Sequence, residues 1–476
     1  MLRLALPTGD IRGQVGELLA RAGLAVDEYL QGSRSYVLGA GSADGLQLRV
    51  FREKDIPIQI ALGNYDLGIC RLEWLEELTQ RYPTDAIVPV GDIAIGKRSL
   101  YVAAAAAADG DIRGWAQLSG LRIVSEYANL AEAFAMGLRL SAYRVFPVWG
   151  AAESYPPEDA DLVLIAAENE DEVCRRGLAP LHKLLDSSAW LIANRQSMAR
   201  KDLALLLDRL VGLGRGRNGQ PALSLPLAPA TASRRDIERV AYPNIVRLAL
   251  PDGHQQKHAV AALKSAGLSV SGYDADTCLP RPRSDMPGLE LKVIRPQDMP
   301  QQVALGHFDL AISGRDWLLD HLYRFPGSPV EEAVDLGLGR YSVAAVVSDS
   351  LPVDSLAEAL GLWQREGKKV IRIASEYANI ADYCARSYHL PRYKVIPIGG
   401  ASEGFVPEDA ELLIEGTETG VTLAANRLKK IDALLESTTC LIARRPPAPE
   451  GRRQPLARLI EMFSRAGGAA PPAGRG

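Results

Sequence analysis

The stretch Glu411 to Leu423, ELLIEGTETGVTL, reads as a buried strand that runs into a polar turn. Leu412, Leu413 and Ile414 form a short apolar run of the kind covered on both faces of a sheet. Thr417, Glu418, Thr419, Gly420 and Thr422 then concentrate hydroxyls and backbone N–H groups, and Ala424 to Leu428 continue with helical composition. A strand, a glycine-containing turn and a helix start together make a phosphate cradle. The first N–H groups of a helix lack intrahelical partners, and the helix dipole favours an anion there. Glu411 and Glu415 precede the turn; a carboxylate repels phosphate and suits sugar hydroxyls or a divalent cation instead. The same residues also read as an ordinary strand–turn–helix with threonine caps, and composition alone leaves both readings open.

The surrounding chain has 476 residues, 47% of them apolar and 24% charged, which is ordinary for a soluble globular protein. Its net charge of −4 provides no basic field for nucleic acid. No run of about 18 apolar residues predicts a membrane span. The opening MLRLALPTGD reaches Pro7 and Gly9 too early for a signal peptide, so a cytoplasmic protein is expected. Cys70, Cys174, Cys278, Cys384 and Cys440 are far apart and odd in number, which predicts reduced thiols. His254, His258 and His307 have no companion at metal-ligand spacing, and no metal-binding set is legible.

The chain is written twice. Leu4-Ala5-Leu6-Pro7 recurs as Leu248-Ala249-Leu250-Pro251, and Arg52-Glu53-Lys54-Asp55 as Arg295-Pro296-Gln297-Asp298. Ser125-Glu126-Tyr127-Ala128-Asn129 recurs as Ser375-Glu376-Tyr377-Ala378-Asn379. The offset is nearly constant, so two copies of one domain are expected: residues 1–212 and 244–466. Residues 213–243, rich in Gly, Pro and Ser, read as a flexible linker, and 467–476 as a disordered tail. Within the first copy, strand-like segments at Leu2–Leu6, Leu46–Phe51, Tyr65–Ile69, Leu100–Ala107, Leu121–Val124, Tyr143–Val148 and Asp161–Ile165 alternate with helix-like ones. This alternation predicts an α/β fold with mostly parallel sheets and ligands at the carboxyl ends of strands.

With LPDG, RPQDMP, ALGHFDLAISGRD, LGLGR, RIASEYAN, GGASE and IEGTETGVTL in this order, the second copy resembles ATP phosphoribosyltransferase. The resemblance covers nearly all of both copies. It implies a tandem duplication of a two-lobe core like that of periplasmic binding proteins, with the site between lobes. The chain would cross between lobes near Gly96 and Pro180, and near Gly339 and Lys430. It implies transfer of phosphoribosyl from phosphoribosyl pyrophosphate to N1 of ATP, with Mg²⁺ helping pyrophosphate leave, as the first step of histidine biosynthesis. Glu411, Glu415, Thr417, Glu418, Thr419, Gly420, Val421, Thr422 and Leu423 would bind phosphoribosyl pyrophosphate. Gly253, Arg295, Asp298, Gly314, Arg340 and Glu403 would face ATP, and Glu415, Arg340 and Arg295 would be catalytic. Each arginine can bind phosphate bidentately or simply fix a loop in an ion pair, and Asp309 reads better as a strand-end residue.

The copies differ where chemistry would occur. Thr419, Gly420 and Thr422 face Asn169, Glu170 and Glu172, so the first copy's donor turn reads as degenerate. Trp149 stands opposite Gly399 and is expected to fill the first cleft. The second copy also departs from the resembled family. The basic residues of that family's LPKGR stretch are Asp252 and His254 here, and the lysine of its KYPN stretch is Glu376. Arg315, Lys292, Arg372 and Lys257 are candidates to compensate. The alternative function is an inactive nucleotide-binding or regulatory relative; a third, a solute-binding protein, conflicts with the expected lack of a signal peptide. The resembled core pairs into dimers, so the fused copies are expected to form an internal pseudo-dimer, open to further homo-oligomerisation.

Overall fold

A computed structural model describes residues 1–24, 27–30, 36–38, 46–108, 110–140, 142–211, 223–225, 235–236, 244–418, 420–445 and 450–467. Each copy is α/β with two lobes, as its alternating pattern predicts. In the first lobe of the first copy, strands Leu46–Phe51, Leu2–Pro7 and Leu67–Arg71 pair in parallel. In its second lobe, Leu162–Ala167, Arg122–Ser125 and Arg144–Pro147 do the same. Leu4, Ala5 and Leu6 are fully buried, as a strand covered on both faces requires. The helix Arg12–Arg21 turns Val15, Leu18 and Leu19 inward at the spacing of one helical face.

The lobes of the second copy are joined by two long antiparallel strands, Val330–Ser348 and Leu428–Arg444. They run through both lobes and fuse them into one eight-stranded sheet. The first copy breaks both strands: Ile87–Asp92 and Arg98–Ala105 are separate, as are Leu178–Ser187 and Ala189–Asn194. The outward crossing falls near Gly96 and Gly339, where both glycines have positive φ. The return crossing falls at Ser187–Ala189 and near Ser437, not near Pro180 and Lys430. Those two residues lie where the return strand is still in the second lobe, because that strand begins well before it crosses.

Most of 213–243 and all of 468–476 lie outside the described residues. Two described pieces of the join touch the first copy. Arg235–Asp236 pairs with Leu118–Ser119, and the Ser224 N–H donates to the Leu184 carbonyl. Helix Glu450–Gly467 packs Leu459 and Phe463, both fully buried, onto the first lobe of the second copy. No helix among the described residues is long and apolar enough to cross a membrane.

The two copies clasp one another with pseudo-twofold symmetry, the first lobe of each against the second lobe of the other. Asp55 accepts the Gly399 N–H at 3.1 Å, and its repeat counterpart Asp298 accepts the Trp149 N–H at 2.9 Å. Arg49 donates to the Gly404 carbonyl and pairs with Glu408; its counterpart Lys292, fully buried, reaches Glu158 at 2.8 Å and Asp159 at 2.7 Å. The Tyr65 hydroxyl donates to Asp409 at 2.9 Å. Between these polar ties lies an apolar seam in which Phe51 meets Phe405 edge-on at 5.1 Å. A Phe405→Ala variant should lose about 3–5 kcal/mol of stability, since the ring is fully buried between copies. Chemical denaturation measures this, and a loss below about 1 kcal/mol would mean the seam is not packed as described.

Candidate functional site

Strand Leu412–Thr417 buries Leu412, Leu413 and Ile414 and delivers its polar end to the mouth between the lobes. The Thr417 hydroxyl accepts the Gly420 N–H at 3.1 Å. Gly420 has φ +70°, a left-handed conformation that glycine adopts without strain, and helix Val421–Ala425 follows. Thr419 lies outside the described residues. The turn opens onto a cavity of about 420 Å³ lined by Thr417, Glu418, Gly420 and Leu423, with Arg340 and Lys430 among its other walls. The Arg340 side chain is exposed and makes no ion pair among the described residues. Val421 is exposed, and Thr422 is half-buried on the same short helix.

The equivalent turn of the first copy is occupied by its own side chains. Glu172, standing where the second copy has Thr422, accepts the Glu168 N–H at 2.7 Å and pairs with Arg176. Asn169 caps the helix by accepting the Glu172 N–H at 3.0 Å. Helix Glu170–Arg175 therefore starts at Glu170, the position at which Gly420 holds its turn open.

Two arginines brace the first cleft, and one of them crosses between its lobes. The Arg71 guanidinium donates to Asp10 at 3.1 Å, Glu53 at 2.7 Å and the Gly96 carbonyl at 3.0 Å. Arg98 joins Glu73 of one lobe, at 2.6 Å, to the Tyr127 hydroxyl of the other, at 3.1 Å. In the second copy the counterparts of Arg71 and Arg98 are Gly314 and Tyr341. Asp316, the counterpart of Glu73, accepts the Ser437 hydroxyl at 2.8 Å and is hydrogen-bonded as well to Tyr341 and, across the lobes, to Tyr377.

Several expected site residues stand elsewhere. Glu411 is at the opposite end of the strand from the turn, bound to Arg372 at 2.8 Å and Lys368 at 3.0 Å. A six-residue strand separates those ends by about 20 Å, so Glu411 does not share the cradle. Arg295 pairs with Asp252 at 2.6 Å and lies so close to Gly150 that a Cβ there would collide with it. It thus faces the loop of the first copy, not the cleft of its own. Asp298 is likewise spent on the Trp149 N–H. Arg315 is engaged by Glu332 and Asp335, Lys292 by Glu158 and Asp159, and Arg372 by Glu411. Gly253 is exposed at the turn before helix Gln256–Ser265, and Gly314 is buried beside Gln255 and Asp316. Trp149 does not fill the first cleft: its ring lies under the Lys54 ammonium at 4.2 Å and 6.2 Å from Trp317 of the second copy.

Two cations unmarked in the sequence reading reach the second cleft from the first copy. Arg52, the counterpart of Arg295, lies against Gly400 beside Glu376, and Lys54 lies against Gly399. Neither side chain has an ion pair within reach among the described residues. The signal for them was present, since the repeat pairs Arg52 with Arg295, but only the clasp shows which cleft each one enters. Glu376, Glu403 and Glu415 stand together here, with Glu415 accepting the Ser402 hydroxyl. Burial, reinforced by Glu376 and Glu403, pushes the Glu415 carboxyl well above the usual carboxylate range.

A family model described as ATP phosphoribosyltransferase matches residues 52–212 and again 295–465. The ATP phosphoribosyltransferase of Chlorobium chlorochromatii is 34% identical over 207 residues, which cover 42% of this chain and 64% of that protein. That of Deinococcus radiodurans is 30% identical over 230 residues, covering 47% of this chain and 94% of that protein. A solved ATP phosphoribosyl transferase (HisG:HisZ) complex from Thermotoga maritima aligns over 48% of this chain and 100% of that chain, with 17% identity and a TM-score of 0.38.

The clasp makes a pH prediction. Burial pushes Asp298 up to about 8 from an ordinary 3.8, so the folded chain holds a proton that the unfolded chain releases. The stability contributed by this group is full below pH 3.8 and is lost as pH rises towards 8. Asp298→Asn keeps a carbonyl to accept the Trp149 N–H but cannot ionise. Its drop in melting temperature between pH 5 and pH 8 should therefore be smaller than that of the unaltered chain; an equal drop would remove Asp298 as the source.

Proposed function

The chain belongs to the ATP phosphoribosyltransferase family, and we propose that its second copy transfers phosphoribosyl from phosphoribosyl pyrophosphate to N1 of ATP, releasing pyrophosphate as the first step of histidine biosynthesis. The observation that carries this reading is the contrast between the turns: the second opens on a cavity with unpaired Arg340, whereas the first is closed by Glu172. A cytoplasmic location goes with this chemistry.

The reaction is a displacement at a carbon with oxocarbenium character, so the chain must align two polyanions and balance the charge that leaves. In this reading Thr417, Gly420 and Thr422 hold the 5′-phosphate of the donor. Arg340 at the hinge, and Arg52 and Lys54 from the first copy, supply positive charge. Glu415, whose carboxyl is pushed above its usual range by burial and by Glu376 and Glu403, offers a ribose hydroxyl a hydrogen bond. Among the described residues no group of three or more His, Cys, Asp or Glu side chains is arranged to hold a metal ion. We assign Mg²⁺ to the pyrophosphate of the donor, as part of the substrate.

One observation favours the second reading, an inactive nucleotide-binding or regulatory relative. Glu376 occupies the place of a lysine in the resembled family and adds a third carboxyl beside Glu403 and Glu415. The two readings part on turnover. Purified protein mixed with ATP, phosphoribosyl pyrophosphate and Mg²⁺ should form phosphoribosyl-ATP, detected by mass spectrometry. Gly420→Glu should cut the rate at least about tenfold by setting a carboxylate in the cradle, while Glu170→Gly in the first copy should leave it unchanged. Binding without product would select the second reading, and absence of both would overturn the two together.

A further inference from the structure

We propose that Lys430 is a binding residue for the phosphate monoester of the donor, carried on the hinge strand and aimed by Ser342. This rests on the reading that the second copy takes phosphoribosyl pyrophosphate. Lys430 lines the same cavity as Thr417, Gly420 and Arg340. In the ladder it stands opposite Val346, yet its ammonium donates to the Ser342 hydroxyl at 2.6 Å, so the side chain runs along the strand towards the hinge and not straight out to water. No carboxylate lies within ion-pair reach of it among the described residues. An ammonium held by a neutral hydroxyl keeps its full charge for an incoming anion.

The charges on the cavity wall give the need for it. Arg340 and Lys430 face two carboxylates, Glu418 and Glu436. With both cations the wall is balanced; without Lys430 it is net negative, and a phosphate dianion would be repelled. The first copy shows the contrast. Pro180 occupies the position of Lys430, and the Ser99 hydroxyl, equivalent to that of Ser342, donates to Asp186 at 2.7 Å. The copy whose turn is blocked by Glu172 is thus also the copy without this cation.

Lys430 is exposed, so its replacement should leave the fold intact. Calorimetric titration with phosphoribosyl pyrophosphate is expected to show binding about tenfold weaker for Lys430→Met, nearly unaltered for Lys430→Arg, and a few-fold weaker for Ser342→Ala. The loss in Lys430→Met should shrink as salt is raised, because an exposed charge is screened. Gly420→Glu serves as the reference. If Gly420→Glu abolishes binding while Lys430→Met binds as the unaltered chain does, the role of Lys430 is overturned and the reading of the turn stands. If the unaltered chain binds no phosphoribosyl pyrophosphate, the functional reading itself fails, and this inference with it.

Discussion

A carboxylate buried against a backbone amide of the other copy is the contact on which this architecture turns. Asp55 and Asp298 each leave the end of a first-lobe strand and accept an N–H from the glycine-bearing loop of the opposite second lobe. Burial makes each acid costly to ionise, and the N–H it accepts offsets only part of that cost. The same geometry carries the adjacent basic residues across. Arg52 and Lys54 are drawn over the second cleft and Arg295 over the first, because each lies within three positions of a clasping aspartate.

From this near-symmetric frame the two clefts diverge through a few side chains. Arg98 ties the lobes of the first copy together through Glu73 and Tyr127; in the second copy Tyr341 stands in its place, and Asp316 is hydrogen-bonded to Tyr341 and Tyr377. Gln297 stands at the repeat position of Lys54, and Arg295 is held by Asp252 while Arg52 has no such partner among the described residues. Free positive charge therefore collects at one cleft and not at the other. In the proposed reading the first copy serves as scaffold and cation donor, while the second keeps the open turn.

The duplication and the α/β order were legible because they rest on local signals: apolar runs of strand length, helical spacing at Val15, Leu18 and Leu19, and motifs that recur at a fixed offset. The turn at Thr417–Gly420 was legible for the same reason, since a left-handed glycine between a strand and a helix leaves its mark in a few residues. Arg295 and Asp298 were assigned to the wrong cleft because no local pattern encodes which lobe lies across an interface. Glu411 failed differently: its nearness in sequence to the turn hid the length of the strand between them. Lys430 stood on a strand read only as a crossing, and nothing in its neighbours marks the long reach to Ser342.

The long strands Val330–Ser348 and Leu428–Arg444 pair with each other from one lobe to the other, with bulges on the way, at the crossing among other places. The first copy breaks both strands at the crossings and bridges its lobes with Arg98. One half of the molecule thereby joins its lobes through continuous sheet, while the other joins them by short links and a side-chain bridge.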